Sequence, residues 1–121
     1  MDKTTMVIGA SSNPERFSYK AIQRLQNRNI SVVAIGNKDD NIGDLIIRKG
    51  MPEDIGPIHT ITMYISAKYQ KGYYDYIISL HPKRIIFNPG TTNREFAQIV
   101  KKEGIEVIDD CMLSMLSHGK F

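Results

Sequence analysis

The chain has no tryptophan, a single cysteine (Cys111) and an aromatic content of only 8% across 121 residues. One cysteine excludes an intramolecular disulfide and a cysteine-built zinc site, and it fits a reducing compartment. No apolar run approaches the roughly 20 residues of a membrane span, and no charged segment followed by an apolar stretch opens the chain. The expected location is therefore cytoplasmic, with no membrane partner. Blocks of lysine and arginine interleaved with aromatics are also missing, so the net charge of +3 is spread along the chain. That argues against a nucleic-acid partner while leaving a mild preference for anionic ligands.

What is present is ordinary for a globular protein: 41% hydrophobic and 24% charged residues. The length suits one domain, residues 1–121, large enough to bury a core without covalent staples. Short β-type runs alternate with longer helical patterns. Strands are expected at Thr4–Ile8, Ser31–Ile35, Thr60–Ile65, Arg84–Phe87 and Glu106–Ile108, several apolar along most of their length, as in strands covered on both faces. One helix carries the stripe Phe17, Ala21, Ile22 and Leu25. A second is expected to be capped by Ser66, to carry Tyr69, Tyr73, Tyr76, Ile77 and Leu80, and to stop at Pro82. Thr92-Asn93-Arg94-Glu95 has the spacing of a capping box, with Gly104 ending that helix, and a last helix runs from about Asp110 through Leu116. Strand–helix alternation implies right-handed crossovers and a parallel sheet. The expected fold is α/β, a Rossmann-like three-layer sandwich with a mostly parallel sheet of about five strands. The section Asp39 to His59, with three glycines and two prolines around Leu45-Ile46-Ile47, reads as a loop with a short extra strand or turn.

The most informative segment is Gly9-Ala10-Ser11-Ser12-Asn13-Pro14, between the first strand and the first helix. A small-residue turn there leaves backbone N–H groups exposed at a helix N-terminus, a setting that favours a phosphate. It is not a full G-x-G-x-x-G fingerprint, since Gly9 is its only glycine, and no Walker lysine follows it. Three further strand ends carry turn or polar residues: Gly36-Asn37-Lys38, Tyr64-Ile65-Ser66 and Asn88-Pro89-Gly90. Ligands of open parallel sheets bind beyond the carboxyl ends of the strands, so these four ends together read as a binding rim. NAD-binding sheets usually end the second strand in an acid that meets the ribose hydroxyl. Here Lys38 stands there instead, which suits a ribose phosphate, either the 2′-phosphate of NADP or the 3′-phosphate of coenzyme A.

Gly9 to Arg16, Ser18-Tyr19-Lys20, Ile86-Phe87-Asn88-Pro89-Gly90-Thr91 and Asp110-Cys111-Met112-Leu113 resemble, in the same order, the small CoA-binding domain family. That family is similar to the N-terminal CoA-binding domain of the succinyl-CoA synthetase alpha subunit. The resemblance implies a module that binds coenzyme A, or an acyl-CoA, without a demonstrated reaction. By position, Gly9, Ala10, Ser11, Ser12 and Asn13 would cradle the pyrophosphate. Asn37 and Lys38, following Gly36, would meet the adenosine phosphate end, while Tyr64 and Ile65 would flank the bound chain or the adenine. Family members often have an Asn-Pro pair after the second strand; here Lys38 takes the place of the proline.

Nothing in the chain suggests catalysis strongly. His59, His81 and His118 are scattered without an acid at partner spacing, and Cys111 is expected to be a buried, unreactive thiol. The tyrosines at 69, 73, 74 and 76 are expected to cover the sheet, a stacking surface being the alternative. The expectation is a small-molecule cofactor module with no metal and an unknown protein partner. The alternatives are an NADP-type oxidoreductase on the same rim and an interaction protein that kept the fold without a ligand.

Overall fold

A computed structural model describes residues 3–121. Its centre is a seven-stranded sheet in the order β3-β4-β2-β1-β5-β6-β7. The strands are β1 (Thr5–Ile8), β2 (Val32–Gly36), β3 (Asp40–Ile42), β4 (Leu45–Lys49), β5 (Thr60–Met63), β6 (Arg84–Phe87) and β7 (Glu106–Asp109). All neighbouring pairs are parallel except β3 with β4. The helices are α1 (Phe17–Asn27), α2 (Tyr74–Leu80), α3 (Arg94–Lys102) and α4 (Met112–Ser117).

The α/β three-layer architecture matches expectation, and the strand count does not. The two additional strands lie in the segment read as a loop with a short extra strand or turn, which forms two paired strands. Asp40–Ile42 and Leu45–Lys49 form a hairpin around Gly43, whose φ of +56° suits a tight turn, and β4 then pairs in parallel with β2. Leu45-Ile46-Ile47 is too short to show its period, so only pairing with β2 reveals it as a strand.

Alternation along each strand builds two cores. Met6, Ile8, Ile61, Met63, Ile85 and Phe87 face Ile77 of α2 with Phe96 and Val100 of α3. Val7, Ala34, Ile47 and Ile86 face Ala21, Ile22 and Leu25 of α1 with Met112, Met115 and Leu116 of α4. Strands β1, β5 and β6 are buried on both faces, which is why they read as largely apolar runs.

Two helix starts differ from the sequence reading. Ser66 makes no capping hydrogen bond; two 3₁₀ turns, Ala67–Tyr69 and Lys71–Tyr73, occupy that stretch before α2 begins at Tyr74. The cap of α3 is Asn93, one residue later than the Thr92 frame, and its Oδ1 accepts from the Phe96 amide at 3.0 Å. Glu95 accepts instead from the Tyr74 hydroxyl. Gly104 does end α3, with φ +79°, and α2 stops at His81, which adopts a left-handed conformation immediately before Pro82.

Candidate functional site

β1 sits at the middle of the sheet: the chain runs from it outward through β2 and β4, then crosses to β5 on its other side. The strand order therefore reverses between β1 and β5. A cavity of about 1040 Å³ opens beyond the carboxyl ends of the strands there. All ten residues picked out from the sequence line it: Gly9, Ala10, Ser11, Ser12 and Asn13 from the first loop, Gly36, Asn37 and Lys38 from the end of β2, and Tyr64 and Ile65 from the end of β5.

The first loop is held down by its own backbone. The amides of Gly9 and Ala10 both donate to the carbonyl of Ile35 at 2.9 Å. Those of Asn13 and Glu15 go to the side chains of Ser11 and Asn13, and that of Arg16 goes to the Asn13 carbonyl. The amides of Ser11 and Ser12, and of Phe17, Ser18 and Tyr19 in the first turn of α1, have no acceptor among the described residues. No side chain caps α1, and no acid lies in its first turn. The contrast with α3, which has both the Asn93 cap and Glu95, is direct. The start of α1, which faces the cavity, is left without a side-chain cap or a first-turn acid to compensate its exposed donors.

Close packing needs glycine at two places. A Cβ on Gly9, whose φ is +97°, would lie 2.9 Å from Ile65 Cγ2 and 3.0 Å from the Tyr64 backbone carbon. A Cβ on Gly36 would lie 2.8 Å from both the Ala10 carbonyl oxygen and Ile47 Cγ2. The bare backbone lets the first loop nest between β2 and the β5 loop.

Lys38 is exposed on the wall beside Asp40. The Asp40 carboxyl is held below the usual carboxylate range, chiefly by the hydrogen bond that Ser12 Oγ donates at 2.6 Å, then by the Asn41 amide, with Lys38 nearby. Tyr64 is half-buried, and its hydroxyl is enclosed without a hydrogen bond of good geometry, so burial pushes its pKa up.

Several wall residues were not singled out as ligand contacts from the sequence: Asp40, Arg16 with Phe17 and Ser18, Tyr69 with Tyr73, and Thr91. Asp40 fell in the segment read mainly as loop, so its place on the wall, set by β3, was not expected. The tyrosines divide. Tyr69 and Tyr73 line the cavity, whereas Tyr74 stacks on Phe96 at 4.1 Å between ring centres and the Tyr76 hydroxyl donates to the Pro52 carbonyl. Of the expected rim triplet after β6, Pro89 reaches the cavity but Asn88 turns inward. Its Nδ2 donates to Thr62 Oγ1 and the Met63 carbonyl, and its Oδ1 accepts from the Met112 amide.

No histidine or cysteine lines the cavity. His59 stands at the start of β5, beside Thr60 Oγ1, and His118 ends α4. Cys111 is half-buried at the start of α4, more accessible than expected from the sequence. Among the described residues no group of three or more His, Cys, Asp or Glu side chains could hold a metal ion, and no helix is long and apolar enough to cross a membrane.

Comparison with known proteins agrees with this geometry. A solved structure of an uncharacterized protein is 38% identical, covers 100% of this chain and 99% of its own, and superposes with a TM-score of 0.95. A Thermus thermophilus protein (18% identity, 99% of this chain and 91% of its own, TM-score 0.88) and a hypothetical protein from Pyrococcus horikoshii (19%, 97% and 83%, 0.88) share the fold. No curated protein sequence gives a significant match. Residues 3–117 match the CoA binding domain family, to which this chain belongs.

Proposed function

We propose that this chain is a coenzyme A or acyl-CoA binding module that carries no reaction of its own. In this reading the pyrophosphate meets the free amides of Ser11, Ser12 and the first turn of α1. Asn37 and Lys38, following Gly36, hold the adenosine phosphate end. Tyr64 and Ile65 flank the ligand where it crosses from β1 to β5. The observation that carries the reading is the set of five uncompensated amides at and just before an uncapped helix start, four of them in residues on the wall of a cavity at the reversal of strand order. Gly9, Ala10 and Asn13 complete the cradle, Gly9 by letting the loop pack against Ile65 and the Tyr64 backbone.

The cavity wall offers weak means for proton transfer. Its tyrosine phenol at position 64 is held protonated by burial, and Asp40 is engaged by Ser12. The role supported is therefore to sense, store or present a thioester to a partner protein. The competing reading is an NADP-type oxidoreductase using the same rim, favoured by the exposed Lys38 that follows β2, where a ribose 2′-phosphate would be met.

A thermal-shift and calorimetric panel of CoA, acetyl-CoA, NADP and NAD separates the two. A ligand at 100 times its dissociation constant stabilises by roughly 2.7 kcal/mol, and CoA is expected to exceed NADP. Ser12→Leu should block the diphosphate, and because it also removes the Ser12–Asp40 hydrogen bond, Ser12→Ala serves as the control for stability. Unaltered CoA affinity in Ser12→Leu would show the phosphates to be placed wrongly, and a larger response to NADP would favour the competing reading.

A further inference from the structure

The β3–β4 hairpin, hidden from the sequence pattern, brings a carboxylate to the wall where the ribose phosphate is placed. Asp40 is the first residue of β3, lines the cavity, and stands next to Lys38. Each carboxylate oxygen already has one protein donor: Ser12 Oγ at 2.6 Å on Oδ2 and the Asn41 amide at 2.8 Å on Oδ1. A carboxylate offers about four acceptor sites, so lone pairs remain for a ligand hydroxyl. The Ser12 bond is short and charge-assisted, and it fixes the carboxylate against the same loop that offers the Ser11 and Ser12 amides. A second phosphate placed against this fixed negative charge would be repelled, whereas a hydroxyl would be bound.

We propose that Asp40 is a specificity-determining residue: it accepts the free ribose hydroxyl next to the phosphate held by Lys38, and so selects a 3′-phosphorylated over a 2′-phosphorylated adenosine ligand. The inference rests on the CoA reading above and adds to it the residue that sets which ribose oxygen carries the phosphate. In dinucleotide folds the ribose acid ends the second strand. Here that position is Gly36-Asn37-Lys38, and the acid arrives from the antiparallel strand that follows.

Adenosine 3′,5′-bisphosphate and adenosine 2′,5′-bisphosphate test this cleanly, because the two differ only in which hydroxyl is esterified. Calorimetry on the wild-type protein should give a preference of about tenfold, about 1.4 kcal/mol, for the 3′,5′ isomer. Asp40→Asn should collapse the preference, mainly by strengthening the 2′,5′ isomer, an opposite-signed effect that loss of fold cannot produce. Ser12→Ala should leave the preference in place. Equal affinities of the wild type for the two isomers, or a preference unchanged in Asp40→Asn, would overturn the inference while CoA binding stands. Collapse of the preference in Ser12→Ala to the same degree would also overturn it, by showing that Asp40 acts only through the loop. If CoA itself does not bind the wild-type protein, the binding reading fails and this inference with it.

Discussion

The side-chain amides of Gln70 and Asn93 meet at 2.9 Å inside the protein, behind the cavity wall. Gln70 is fully enclosed, and its Nε2 donates to the carbonyls of Ile65 and Thr91, while Asn93 caps α3 through the Phe96 amide. One pair of amides thus ties the loop after β5 to the loop after β6, two segments whose residues face the ligand site.

Gln70→Ala should destabilise the protein by about 2–4 kcal/mol, since it leaves a void, two carbonyls without their donor, and one N–H of the Asn93 amide unpaired, the other still donating to the Tyr74 hydroxyl. The urea unfolding midpoint reads this. Asn93→Asp keeps the acceptor for Phe96 and removes the donors to Gln70 and the Tyr74 hydroxyl, so it should still destabilise, by less than Gln70→Ala; no measurable cost would show that the cap, and not the bridge, holds the loops.

Gly9→Ala and Gly50→Ala make a matched pair. Both glycines have positive φ, +97° and +86°, but a Cβ on Gly50 meets nothing within 4 Å. Strain alone costs about 1–2 kcal/mol at either site. Gly9→Ala should cost more than Gly50→Ala in urea unfolding, because it also strikes Ile65 and the Tyr64 backbone, and it alone should weaken CoA binding.

Tyr64→Phe removes a buried hydroxyl that makes no hydrogen bond of good geometry, its one polar interaction being with Thr62. An apolar replacement of the same shape should leave stability unchanged or raise it by up to about 1 kcal/mol. A clear loss in the chemical denaturation curve would mean that the hydroxyl is bonded after all.

Stability should fall in mild acid through His59. Burial, then the charges of Arg84, Lys3 and Lys83, hold its pKa below the ordinary 6.5. Between the native value and 6.5 the unfolded chain binds more protons than the native one, so stability rises with pH across that window and is lost below it. His59→Gln should flatten the slope of unfolding free energy against pH in that range. An unchanged slope would assign the acid sensitivity to other groups.

Much of this was legible along the chain. The five strands of the sheet's centre and far side, the Gly9–Asn13 turn, and the lysine at the end of β2 all announce themselves through local signals: apolar runs, a small-residue turn, and strand–helix alternation. The start of α2 misled because Ser66 has the chemistry of a cap, yet the buried Gln70 bridge holds that stretch in two 3₁₀ turns. Asn88 looked like rim because asparagine before Pro-Gly belongs in loops, but its amide reaches back to Thr62, Met63 and Met112, partners distant in sequence. Thr92 and Asn93 are both good caps, and packing of Phe96 into the core chooses between them.

Backbone propensity and the rhythm of apolar residues, which act over a few neighbours, by themselves determined the layered α/β architecture and the small-residue turn between β1 and α1. Only the tertiary structure decided that a hairpin extends the sheet beyond β2, that its Asp40 meets Ser12 across 28 residues, and which amides of the first loop stay free. Those are properties of register and of pairs brought together by the sheet, and no local pattern encodes a contact between side chains that only folding makes neighbours.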